Sequence, residues 1–202
     1  MLNLRVVVLV VLAGICVYYG WHSRDFPQPE GILVDSAPFQ ELIPANQRKP
    51  RKLKDMVVEP LARFRIKARL LSSSRYWLDP GSKISPIDLA LGWGKMSDTK
   101  ILKKIDISQG QRFYYFRWEG GASVIPESEI TRHSTNIHII PANDYIKNTI
   151  YKFRPGQVVQ LQGDLVMVSG PKGNEWKSSL TREDTGAGAC ELMWVTMAQA
   201  VP

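Results

Sequence analysis

"GQVVQLQGDLVMVSG", residues 156–170, is the stretch that decides the fold. Val159, Leu161, Leu165 and Met167 fall on one side of an extended chain, and Gly163 marks a bend. A strand this long, turned by a glycine, predicts a curved sheet or a small barrel. "FRIKARL", residues 64–70, repeats the pattern, with Phe64, Ile66, Ala68 and Leu70 on one face and Arg65, Lys67 and Arg69 on the other. "QRFYYFRWEG" (111–120), "STNIHII" (134–140) and "CELMWVTMA" (190–198) read as further strands. Short helices are expected in "SPIDLALGWGKMSD" (85–98, opened by Ser85-Pro86 with Asp88 and ended by Gly92 and Gly94), in "SDTKILKKIDI" (97–107), in "PESEITRH" (126–133) and in "PANDYIKNTIYKF" (141–153). The fold class is therefore mainly β (α+β): a small β-barrel or curved-sheet domain with short helical insertions, preceded by an N-terminal transmembrane helix.

The anchor is read from "VVVLVVLAGICVYYGW", residues 6–21, which carries no charge. As a helix it spans roughly 24 Å, against a hydrocarbon core of about 30 Å, and Tyr18, Tyr19 and Trp21 stand at its end. No good cleavage site follows, so a retained signal anchor is expected rather than a cleaved signal peptide. The expected division is a flank at 1–5, an anchor at 6–21, a Pro-rich and basic linker at 22–60 and a mostly β domain at 61–200. No basic cluster directly follows the run, which favours export of the rest of the chain and a periplasmic domain on a bacterial inner membrane.

The chain has 202 residues and a net charge of +7, enough for one domain plus an anchor and suited to anionic partners. Its 44% hydrophobic content argues against global disorder. Arg48, Lys49, Arg51, Lys52 and Lys54 form one basic cluster, and Arg65, Lys67 and Arg69 form a row on a strand. These are solvated faces or contacts with lipid headgroups or other polyanions. The two cysteines, Cys16 and Cys190, make no disulfide framework and no metal spacing. No metal or cofactor is expected, and His133 and His138, five apart, do not share a strand face.

Asp184-Thr185-Gly186 matches the catalytic tripeptide of retropepsin-like proteases, but it occurs once and follows Arg182 and Glu183 rather than an apolar strand. It reads as a glycine-rich turn. Cys190 shares strand parity with Leu192 and Trp194 and reads as a core thiol. The best polar constellation is Ser134, Asn136 and His138, alternating along one strand face and able to meet a ligand if that face lines a cleft. The leading expectation is a membrane-anchored envelope binding or accessory module, whose partner is an envelope protein or an anionic polymer. Two alternatives stand behind it. One is an envelope hydrolase using His138 with Cys190 or Asp184. The other is a membrane-tethered nucleic-acid binder using the basic row and the aromatic strand.

The run Gly156-x-x-Val159-x-Leu161-x-Gly163 resembles a strand opening of oligonucleotide-binding-type barrels. The blocks "SPIDLALGWGKMSD", "HSTNIHIIPAN" and "SSLTREDTGAGACELMWV" together resemble a family of uncharacterised proteobacterial proteins with one N-terminal membrane segment and one soluble domain. That resemblance covers residues 30 to 196. It implies a bacterial membrane protein and carries over no activity, cofactor or site.

Overall fold

The computed structural model describes residues 6, 7, 9, 10, 14, 25–171, 173–181, 186 and 189–201. Most of the run at 6–21, and with it the expected anchor, lies outside them, as does Asp184. Among the described residues no helix is long and apolar enough to cross a membrane.

The strands are β1 (Phe39–Leu42), β2 (Arg51–Leu53), β3 (Met56–Arg75), β4 (Ile87–Gly92), β5 (Ile105–Gly110), β6 (Phe113–Trp118), β7 (Ser134–Pro141), β8 (Val158–Ser169), β9 (Glu175–Lys177) and β10 (Glu191–Val201). The helices are α1 (Thr99–Leu102), α2 (Glu127–His133) and α3 (Asp144–Ile150). The main sheet runs β1-β3-β4-β7-β10-β8-β9, and β3 also pairs with β8, so β3, β4, β7, β10 and β8 close into a ring. Every pairing in the ring is antiparallel except β7 with β10.

Closure depends on β3. Its alternation points Phe64, Ile66, Ala68 and Leu70 inward, each at most 1% exposed. Register shifts at Pro60/Ala62 and Leu70/Ser72 bend it, so that its first part pairs with β8 and its last part with β4. The bend at Gly163 has a steric cause. A Cβ there would lie 1.9 Å from the Trp194 carbonyl oxygen, so only glycine lets β8 and β10 approach. The barrel interior is filled by Phe64, Ile66, Leu89, Leu91, Ile137, Ile139, Leu161, Leu165 and Met193 among others. Outside the ring, a second cluster of Val58, Ile140, Val166, Val168, Leu192 and Trp194 packs under β2 and β9. A third, around Met96, Ile105, Ile125 and Ile130, lies beneath the β5–β6 hairpin. Met167, expected on the inner face, is only half-buried; Val166 and Val168 are the buried residues of that end.

Two expectations are corrected. Residues 87–92 form strand β4, not a helix: all six are buried, with Ile87, Leu89 and Leu91 in the barrel core. A strand covered on both faces needs no polar row, and Asp88, Ala90 and Gly92, alternating with Ile87, Leu89 and Leu91, present no wet face to mark its period. The stretch read as a linker is largely part of the domain. Val34 is 5% exposed and joins the core. The Leu33 and Val34 amides donate to Ser97 Oγ at 3.1 Å, and the Phe26 amide donates to the Pro155 carbonyl at 2.6 Å.

The remaining helices follow their caps. Asp98 accepts from the Lys100 amide and opens α1, which is shorter than expected because Ile105 already belongs to β5. Asn143 accepts from the Ile146 amide and opens α3; Pro141 ends β7 instead of starting the helix.

Candidate functional site

Ser134, Asn136 and His138 lie on the outer side of the barrel wall, because Ile137 and Ile139 take the inside. That outer side is nevertheless covered. The segment between β4 and β7 folds back as the β5–β6 hairpin and roofs it, leaving Ser134, Asn136 and His138 8%, 4% and 5% exposed. Beside the hairpin lies a cleft of about 220 Å³, lined by Phe113, Tyr114, Phe116, Ser134, Asn136 and Cys190, among others. Tyr114 donates its hydroxyl to Ser134 Oγ at 3.3 Å, and Ser134 donates to the Ile130 carbonyl at 2.6 Å. Burial outweighs the Ser134 contact and pushes the Tyr114 phenol up to about 12, so it serves as a neutral donor.

At the other end of the row, register brings two residues together that the sequence keeps fifty apart. Asp88 of β4 pairs with His138 of β7, and His138 Nδ1 lies 2.9 Å from Asp88 Oδ1. The Asp88 carboxylate is fully buried, and its Oδ2 has no hydrogen-bond partner among the described residues. Arg112 completes the group. It sits with Gln111 at the tip of the hairpin, where both residues take positive φ (67° and 50°), as a two-residue turn of this kind requires. The turn aims the guanidinium at Asp88 (3.2 Å) and Asp79 (2.8 Å), and the Ser85 carbonyl accepts from it at 3.0 Å. The Tyr76 and Trp176 rings flank it at 4.1 and 5.3 Å. The Trp176 ring also packs on His138, 5.0 Å between centroids.

Burial alone would lower the His138 pKa. The Asp88 carboxylate and the Cys190 sulfur more than offset this, and the imidazole is pushed up to about 9. Cys190 is half-buried at the cleft rather than enclosed in a core, which corrects the reading of it as a core thiol. Its parity with Leu192 and Trp194 is as expected, but their face is the outer one. The Asn136 amide donates to Cys190 Sγ at 3.6 Å and to the Arg112 carbonyl at 3.1 Å, and its Oδ1 accepts from Gln109 at 2.7 Å. Asp88 and Arg112 were missed in the sequence. In the sequence Asp88 reads as a residue of a helix's first turn, and nothing in "SQGQRFYY" beyond a turn between two strands signals Arg112.

The basic residues are elsewhere. Arg63, Arg65 and Lys67 are exposed on the outer face of β3, but Arg69 is 8% exposed and donates to the Ser97 carbonyl (3.1 Å) and Thr99 Oγ1 (2.6 Å). Arg69 thus leaves the expected basic row. Arg48 pairs with Glu59 and Arg51 with Asp164, both at 2.8 Å; Lys49, Lys52 and Lys54 remain exposed. His133 lies at the end of α2 against Trp93, away from His138. No group of side chains among the described residues is arranged to hold a metal ion. Comparison of the chain with protein-family models, with curated proteins and with solved structures gave no match.

Proposed function

We propose that this chain is a ligand-binding module of the bacterial envelope, tethered to the inner membrane through residues 6–21, that holds a small, partly apolar ligand in the cleft beneath the β5–β6 hairpin. One observation carries this reading: a polar floor, Ser134 and Asn136, faces an aromatic wall, Phe113, Tyr114 and Phe116, across about 220 Å³. Mixed linings of this kind suit amphipathic small molecules. The strand order supports the location. A ring of β3-β4-β7-β10-β8 with one parallel seam resembles oligonucleotide- and oligosaccharide-binding barrels, which bind on the face of their second and third strands. Those strands are β4 and β7 here. This support is by analogy of fold, and the chemistry rests on the side chains.

The test uses the amphipathic probe 1-anilinonaphthalene-8-sulfonate and the full chain in detergent. Saturable binding of one probe per chain is expected. Thr131→Trp, which places a large ring in the cleft, should abolish it without lowering the melting temperature. Binding that survives this change sinks the cleft as the site. A C-terminal phosphatase reporter tests the location, and an inactive fusion would place the domain in the cytoplasm instead.

A further inference from the structure

The loop between β3 and β4 shows two large apolar side chains to water. Trp77 is 73% exposed, and its neighbour Leu78 is fully exposed. An ordered turn presents them. The Tyr76 amide donates to the Pro86 carbonyl at 2.9 Å, the Ser82 amide to the Asp79 carbonyl at 3.0 Å and the Ile84 amide to the Gly81 carbonyl at 2.9 Å. Arg112 grips the Asp79 carboxylate from behind. The same loop, through Pro80, Gly81 and Ile84, walls an apolar groove of about 300 Å³ against Met56, Val168 and Trp176. Contiguous exposed apolar surface of this kind marks a contact with a membrane or another protein.

The length of the tether and the charge around the loop name the surface that this patch fits. Trp21 ends the apolar run, and Phe26, whose amide donates to the Pro155 carbonyl, already belongs to the domain. With residues 6–21 in the membrane, the five residues from Trp21 to Phe26 reach roughly 17 Å at full extension, which leaves the barrel no stalk. The route from that attachment to the loop is short. Pro155 is four residues beyond Tyr151, the Tyr151 carbonyl accepts from the Arg75 guanidinium at 2.5 Å, and Trp77 is two residues beyond Arg75. Among the described residues, Lys52, Lys54, Lys83 and Lys177 stand exposed beside the loop and groove, against the exposed acids Asp55 and Glu175. Lys54 donates to the Lys83 carbonyl at 3.2 Å, so both lysines sit at the foot of the loop. Asp79 is paired with Arg112 and does not offset them.

We propose that the Trp77-Leu78 loop docks on the bilayer that carries the anchor, with these two side chains in the interfacial layer and the lysines against anionic headgroups. Docking rests on residues 6–21 being the anchor, as proposed above. Indole collects at the membrane–water boundary, where its apolar body and its N–H are both accommodated. Leu78 adds apolar area, and each lysine adds an attraction to anionic lipid that salt weakens. Because Arg112 at the tip of the β5–β6 hairpin holds Asp79 of the loop, docking also sets the hairpin and its cleft at a fixed height above the lipid.

The full chain in vesicles of phosphatidylcholine and phosphatidylglycerol tests this. Flotation after a carbonate wash reads the anchor alone; a chain that washes off overturns residues 6–21 as a span and the docking with it. Lipids brominated on the upper acyl chain read the loop, because bromine quenches an indole it touches and interfacial side chains lie about 5–10 Å deep. Trp77's own emission is the difference between wild type and W77F, in which Trp21, common to both, cancels. That difference should fall at least about twofold on bromination. L78E changes a side chain that buries nothing, so it should remove most of the fall with no loss of flotation. Replacing the phosphatidylglycerol by phosphatidylcholine should weaken the fall, and an equal fall without anionic lipid overturns the part assigned to the lysines. A chain that floats while Trp77 emits equally in plain and brominated vesicles overturns the docking and leaves the anchor standing. Trp77 shielded from acrylamide only at high protein density assigns the patch to a second copy and overturns the docking too.

Discussion

The barrel has two polar outer faces, built from the same alternation and worth very different amounts. On β3, Arg63, Arg65 and Lys67 stand in solvent. Arg63 meets Glu41 at 3.3 Å with both side chains more than half exposed, and Arg65 lies over the Phe39 ring. On β4 and β7, Asp88 and His138 are shut away and Arg112 is clasped between two rings. The strands do not account for the difference. The segment between β4 and β7 folds over one face and leaves the other open. Exposed pairs contribute about 0–1 kcal/mol, whereas removing one partner of a buried pair costs about 3–5 kcal/mol, because a charge is left without compensation.

Arg112→Ala should break the contrast most. It strips Asp88 of one of its two cations and leaves only the His138 imidazolium, and a loss of roughly 3 kcal/mol is expected in urea unfolding followed by tryptophan fluorescence. The pH dependence comes next. The folded His138 pKa, about 9, stands above its unfolded value, so its contribution is fully present below about pH 6.5 and is lost as pH rises through 9. The wild type should lose roughly 2–3 kcal/mol relative to His138→Gln between pH 6 and 10; parallel curves for the two would remove the ion pair from the account. Asn136→Leu should cost about 1–3 kcal/mol, since it leaves the Gln109 side chain without its partner. Arg63→Ala should change stability by less than about 0.5 kcal/mol, and its small effect should vanish in 1 M salt. A large effect there would erase the distinction between the faces.

Strands with one wet face were readable. β3 and β6 show period-two alternation that matches their burial, apart from Arg69, whose partners Ser97 and Thr99 come from a loop that alternation does not describe; β7 alternates in polarity, but both of its faces are covered. β4 was not readable, because both of its faces are dry and Ser85-Pro86 imitates a helix start; the Ser85 hydroxyl is spent on the Ile87 carbonyl instead. The loss of β4 hid Asp88. The row Ser134-Asn136-His138 was legible as a polar face, and His138 with Cys190 as residue types. What brings Asp88 and Arg112 to His138 is the register of β4 on β7 and a turn that reaches back across it, and both are long-range facts. The bend at Gly163 pointed to a small barrel or a curved sheet without deciding between them; the pairing of β3 with β8 closes the ring.

The long bent strand β3 also sets an order of events during synthesis. Residues 57–69 pair with a strand that leaves the ribosome about 90 to 110 residues later. At about 5–20 residues per second, an apolar strand edge therefore waits roughly 5–20 s for its mate. β1 and β2, encoded just upstream, can meanwhile pair with the opposite edge of β3, since Arg65 faces both Phe39 and Gln162. The newborn chain thus has one edge of β3 covered early and the other only at the end of synthesis. Trimming residues 39–53 should leave both edges bare during synthesis and raise aggregation during expression.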